Sequence, residues 1–109
     1  MSQRTMPRWK SKRTAETRKV EELLRTRFPG ADAYRYNSAS IRVRIIDPRF
    51  EGLSPEQRDA LVEPLLDQLP ENTQADIINL LTLSPSEVAG STSRSLPNIE
   101  FEDPSPSML

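Results

Sequence analysis

Ile41-Arg42-Val43-Arg44-Ile45-Ile46 alternates apolar and basic side chains and then closes on a second isoleucine. A period of two puts Ile41, Val43 and Ile45 on one face of an extended strand and Arg42 and Arg44 on the other. Just upstream, Tyr34 and Tyr36 alternate with Arg35, and the polar run Asn37-Ser38-Ala39-Ser40 between the segments reads as a tight hairpin connection. The pair predicts a sheet covered by helices on its apolar side and open on the side that carries arginines.

Before the hairpin, Val20, Leu23, Leu24 and Phe28 recur at steps of three and four, which predicts a helix over residues 14–28 ended by Pro29-Gly30. After it, Asp47-Pro48 closes the strand, because a residue before proline is pushed away from helix. Ser54-Pro55-Glu56-Gln57 then gives a serine cap, proline at the first helical position and glutamine three residues after the cap. Leu61, Leu65 and Leu69, with Val62 and Leu66 beside them, form the expected buried stripe. Pro64 interrupts it: the ring removes one backbone donor and presses on the Ala60 carbonyl at a cost of about 3 kcal/mol, which predicts a kink or two short helices. Residues 76–83, with Ile77, Ile78, Leu80, Leu81 and Leu83, fit a buried strand or an amphipathic helix, and β-branching at the start favours strand. Ser84-Pro85-Ser86-Glu87 repeats the capping pattern and opens a last short helix. The order helix–strand–strand–helix–strand–helix predicts an α+β domain, a small three-stranded mixed sheet with helices on one face.

Charge is segregated along the 109 residues. Residues 1–28 hold nine Lys and Arg against three Glu, a net of +6, and residues 29–109 hold six Arg against thirteen acidic residues, a net of -7, which together return the overall -1. Residues 1–13 read as a flexible basic arm and residues 88–109, rich in serine and proline with Glu100, Glu102 and Asp103, as a disordered acidic tail. The folded domain is expected over 14–87. The alternating segment Leu96 to Asp103 suits either a solubilising tail or a segment that docks on a partner or folds back on the basic arm.

The sequence contains no cysteine and no histidine. That excludes disulfides, Ser-His-Asp and Cys-His catalysis and soft metal sites of the zinc type. Ser54 is a helix cap without a base to activate it, so the expectation is no enzyme, no catalytic residue, no metal and no cofactor. No run approaches the roughly 18 apolar residues of a membrane-spanning helix, and the basic amino terminus lacks the apolar block of a secretory signal. A soluble cytoplasmic protein with no membrane partner is the default expectation.

The stretch from Ser40 to Glu87 resembles the BolA family of stress-induced morphogens. Ile41-Arg42-Val43-Arg44-Ile45-Ile46 is similar to a family strand, Phe50-Glu51-Gly52-Leu53-Ser54 to its Phe-x-Gly-x-Ser turn, and Arg58 with Leu61-Val62 to its following helix. Thr82-Leu83-Ser84-Pro85-Ser86-Glu87 is similar to the Thr-Leu-Thr-Pro-Glu-Glu that ends the last strand, and with the helix from Val20 to Phe28 the resemblance spans Val20 to Glu87. It implies a fold like a class II KH domain and a regulatory, non-catalytic role linked to transcription or RNA. Arg58-Asp59-Ala60 stands where the family has Arg-His-Arg, and Asp76 stands where it has the histidine tied to iron–sulfur clusters shared with monothiol glutaredoxins. An aspartate oxygen is a poorer partner than imidazole for iron in a sulfide cluster. Docking on a monothiol glutaredoxin is therefore the alternative partnership, and DNA or RNA the leading one.

The residues expected to meet a phosphate backbone are Arg18, Lys19 and Arg25 on the first helix, Arg35, Arg42 and Arg44 on the strands, and Arg49 and Arg58 around the turn. The alternative for the strand arginines is that they keep a bare sheet face wet. The Gly-x-x-Gly loop that clamps a backbone in KH domains is missing from the sequence. Trp9 in the arm and one of the tyrosines are candidate stacking platforms; the other tyrosine is expected in the core.

Overall fold

A computed structural model describes residues 8–90 and 95–107. The expectations for residues 1–7 of the arm and for 91–94 and 108–109 of the tail lie outside the described residues.

The first helix, α1 (Ala15–Arg25), starts from Thr14, whose hydroxyl accepts the Thr17 N–H at 3.1 Å while Thr17 Oγ1 accepts the Thr14 N–H at 2.8 Å. This reciprocal cap satisfies two amide donors that a helix start otherwise leaves open. The helix stops before Phe28, and Pro29-Gly30 carries the chain into β1 (Ala31–Asn37). Gly30 is needed there because a Cβ would lie 2.3 Å from the Ile46 carbonyl oxygen. β2 (Ser40–Ile46) pairs antiparallel with β1 through a turn in which the Asn37 side-chain oxygen accepts the Ala39 N–H and the Ser40 hydroxyl, each at 2.8 Å.

A single turn of 3-10 helix at Pro48–Phe50 leads to α2 (Pro55–Leu66), which opens on the Ser54–Gln57 capping box. α2 runs as one helix through Pro64, so the expected division into two short helices does not occur, although the proline ring still withholds one backbone bond from the Ala60 carbonyl. α3 (Glu71–Asp76) then delivers the chain to β3 (Ile77–Leu83), which pairs parallel with β2, and a short α4 (Pro85–Ala89) follows. The sheet order β1-β2-β3 makes a mixed sheet in an α+β fold, and residues 77–83 are extended.

On the helix side, Val20, Leu24 and Phe28 meet Ala33, Ile41, Val43 and Ile45, closed by Phe50 and Val62. Burying one such large side chain is worth about 1.5–3 kcal/mol. Leu61 departs from its expected place in this stripe, because it is 48% exposed on the solvent side of α2.

The other face of the sheet is not bare. A 3-10 turn at Arg8–Lys12 and a further helix, α5 (Ser95–Glu102), lie across it. Trp9, Tyr34, Leu81, Leu83 and Phe101 form a second apolar cluster there. Helices on one face only, an open arginine surface, an arm through residue 13 and a tail from residue 88 are thus corrected for the described residues. The physical reason is burial: Trp9 at 3% and Phe101 at 2% exposure supply large apolar area to segments that are otherwise polar.

Register also revises one arginine. Tyr34 stands opposite Arg42 and Asp32 opposite Arg44, so the tyrosines share the outer face with Arg42 and Arg44. Arg35 therefore belongs to the helix side, apart from the other two.

Candidate binding surfaces

The outer sheet face is an arginine-and-aromatic surface already occupied by α5. Arg42 Nη1 donates to Glu100 Oε2 at 3.0 Å and to the Tyr34 hydroxyl at 3.2 Å, while its guanidinium stacks 3.7 Å from the centre of the Tyr36 ring. Arg44, only 4% exposed, donates from Nη1 to Glu102 Oε2 at 2.7 Å and Asn98 Oδ1 at 2.8 Å, and from Nη2 to Asp32 Oδ2 at 2.8 Å. Phe101 sits 5.6 Å from Trp9 and edge-on 4.7 Å from Tyr34, measured between ring centres, and its carbonyl accepts the Tyr34 hydroxyl at 2.8 Å. Beyond the helix, the Ser105 carbonyl accepts the Tyr36 hydroxyl at 2.7 Å.

The electrostatics follow from these contacts. Burial pushes the Tyr34 phenol above its ordinary pKa, against the pull of Arg42. The Ser105 amide and hydroxyl, ahead of Arg42, hold the Glu100 carboxyl below the usual carboxylate range. Burial opposes the charge on Arg42, yet the bonds to Tyr34 and Glu100 outweigh it and raise its pKa. Two buried donors in this contact lack an acceptor among the described residues, the Trp9 indole Nε1 and Arg44 Nε. Such an orphan costs about 1–3 kcal/mol. Arg44 and the Trp9 ring are neighbours, with 5.5 Å between guanidinium carbon and ring centre.

The other expected phosphate contacts are mostly engaged inside the fold. Arg35 bonds Glu16 at 2.5 Å and Asp76 at 2.9 Å, which ties β1 to α1 and to the end of α3 and gives the Asp76 carboxylate a guanidinium partner. Arg58, 3% exposed, bonds the Glu87 carboxylate with two nitrogens at 2.7 and 3.2 Å, and the Thr82 and Leu53 carbonyls at 2.9 and 3.0 Å. Arg49 pairs with Asp47, packs on the Phe28 ring and donates to the Arg27 carbonyl. Arg25 reaches the Ala31 carbonyl at 2.8 Å and Asp32 at 3.0 Å. Arg35, Arg42, Arg44 and Arg58 are thus structural partners, a role that alternation alone did not distinguish from phosphate binding.

Arg18 and Lys19 remain as expected, exposed on α1. With Lys10, Lys12 and Arg27 they make no ion pair among the described residues. Two clefts adjoin them. One of about 270 Å³ places Lys19 beside Glu16, Leu69, Pro70, Asn72 and Thr73. The other, of about 230 Å³, is lined by Arg27 and Arg49 together with Phe28, Leu61, Pro64 and Leu65.

Among the described residues no group of three or more His, Cys, Asp or Glu side chains stands where it would hold a metal ion, and no helix is long and apolar enough to cross a membrane. No family model matches this chain, and searches of curated proteins and of solved structures return no match.

Proposed function

We propose that the protein is a non-catalytic, nucleic-acid-associated regulatory adaptor that meets the phosphate backbone through the outward side of α1, the turn before it and Arg27 just past its end. The carrying observation is that Lys10, Lys12, Arg18, Lys19 and Arg27 form no ion pairs among the described residues while the sheet arginines are neutralised. Unpaired cations release counterions from a phosphate chain on contact; cations that must first abandon a carboxylate gain little. The resemblance of Val20 to Glu87 to the BolA family supports a binding role in place of catalysis.

A salt titration of a fluorescent single-stranded RNA, with a short DNA duplex in parallel, tests this. For a single strand, log affinity against log salt has a slope of about 0.7 per phosphate neutralised, so Arg18→Glu/Lys19→Glu lowers the slope by about 1.4. Arg42→Gln leaves it unchanged, because that guanidinium faces Glu100. No binding at low salt to either nucleic acid overturns the proposal.

A further inference from the structure

We propose that the outer sheet face is a docking site for an acidic amphipathic helix of a partner protein, with α5 as its own competing occupant. The outer face shares the Arg8–Lys12 turn with the proposed phosphate surface, but the inference rests on other residues, Trp9, Tyr34, Arg42 and Arg44.

The bound segment states the chemistry that the face accepts. A phenylalanine enters the aromatic slot between Trp9 and Tyr34, and carboxylates one residue to either side of it reach Arg42 and Arg44. An aromatic anchor flanked by charge-assisted bonds is a common logic of helix-in-groove recognition. Three features make α5 an exchangeable occupant. It is eight residues long, too short to be stable as a helix by itself. It leaves Leu96 and Ile99 69% and 59% exposed, so only one of its sides is used. In the same contact, Trp9 Nε1 and Arg44 Nε are buried without an acceptor among the described residues. A partner helix that presents acceptors at those two points would satisfy them. Because α5 belongs to the same chain, its competition is intramolecular, and a partner displaces it only by fitting better.

The experiment uses the full chain and a fluorescein-labelled peptide with the sequence of residues 95–107 as the probe. Phe101→Ala removes the anchor of the internal competitor without changing charge, and faster amide exchange across α5 reports that it has opened. The expected result is peptide binding at least tenfold tighter to Phe101→Ala than to the unsubstituted protein. A peptide with glutamine in place of both glutamates is expected to bind at least tenfold more weakly, which probes the arginines without touching the receptor's folding. Adding Arg42→Gln to the opened protein weakens the native peptide similarly. Equal peptide binding by closed and opened proteins, indifference to the glutamines, an α5 that stays protected in Phe101→Ala, or single-stranded RNA gaining affinity on opening in place of the peptide would each overturn the proposal.

Discussion

Arg58→Ala tests whether this arginine holds the fold together or faces a ligand. Its guanidinium is 4% exposed and bridges α2 to the end of β3 and to α4, through the Thr82 carbonyl and the Glu87 carboxylate. Truncation leaves the Thr82 and Leu53 carbonyls without this donor and takes the guanidinium from a carboxylate whose side chain is 20% exposed. Breaking a buried pair costs about 3–5 kcal/mol, and the partial exposure of Glu87 argues for the lower end, about 3 kcal/mol. With about 4–8 °C lost per kcal/mol in a domain of this size, Tm falls by about 12–24 °C. Denaturant unfolding followed by Trp9 fluorescence gives the free energy directly. Arg58→Met/Glu87→Met is expected to recover part of the loss, since an apolar pair strands no charge. A loss below about 1 kcal/mol, the range of exposed ion pairs, would refute the structural role. RNA affinity of the folded fraction stays as in the unsubstituted protein.

Gly30→Ala drives a Cβ to 2.3 Å from a backbone oxygen of β2, so chemical denaturation should show a loss of at least about 1–3 kcal/mol, the range for overpacking. Asp47 is held below the ordinary carboxylate range, first by the Arg49 side chain, so its contribution is present above the unfolded carboxyl pKa and is lost as pH falls through the lowered folded value. Asp47→Asn should therefore flatten the acid side of a stability–pH curve. Tyr34 has the opposite sign, a folded pKa raised mainly by burial, so its contribution is intact below the unfolded phenol pKa and is lost as pH rises through the folded one. Tyr34→Phe should cost about 0.5–1.5 kcal/mol at neutral pH through the lost bond to the Phe101 carbonyl, and should reduce the alkaline loss of stability.

Much of the helix side was legible because local signals agreed there. The Ser54–Gln57 cap, the Asn37–Ser40 turn and the alternation of Ile41 to Ile45 each fix a short piece, and together they specify the hairpin and crossover. Leu61 misled because its stripe does not reveal how wide a face the sheet covers. Pro64 misled on division because one missing backbone bond is not enough to split a helix that packs on both sides of it. The larger error concerned the outer face. Composition reads Arg8–Lys12 and Ser95–Glu102 as segments too polar to order, yet one aromatic in each, Trp9 and Phe101, meet across the sheet from opposite ends of the chain. Two signals pointed there: carboxylates at 100 and 102 bracketing Phe101, and arginines at 42 and 44 with the same spacing. Pairing β1 with β2 in register would also have put Tyr34 beside Arg42 and removed Arg35 from that face. The candidate surface was visible as residues but not as contacts, because charge alternation does not say whether its partner lies within the chain.

Trp9 is the single tryptophan of the sequence, so its fluorescence reads the outer face without labelling. The account predicts a shielded indole whose emission resists quenching by iodide and acrylamide in the native protein and becomes accessible in Phe101→Ala. Native emission that is quenched as readily as that of a free indole in water would mean that the turn and α5 do not cover the sheet, and would contradict the account at its centre.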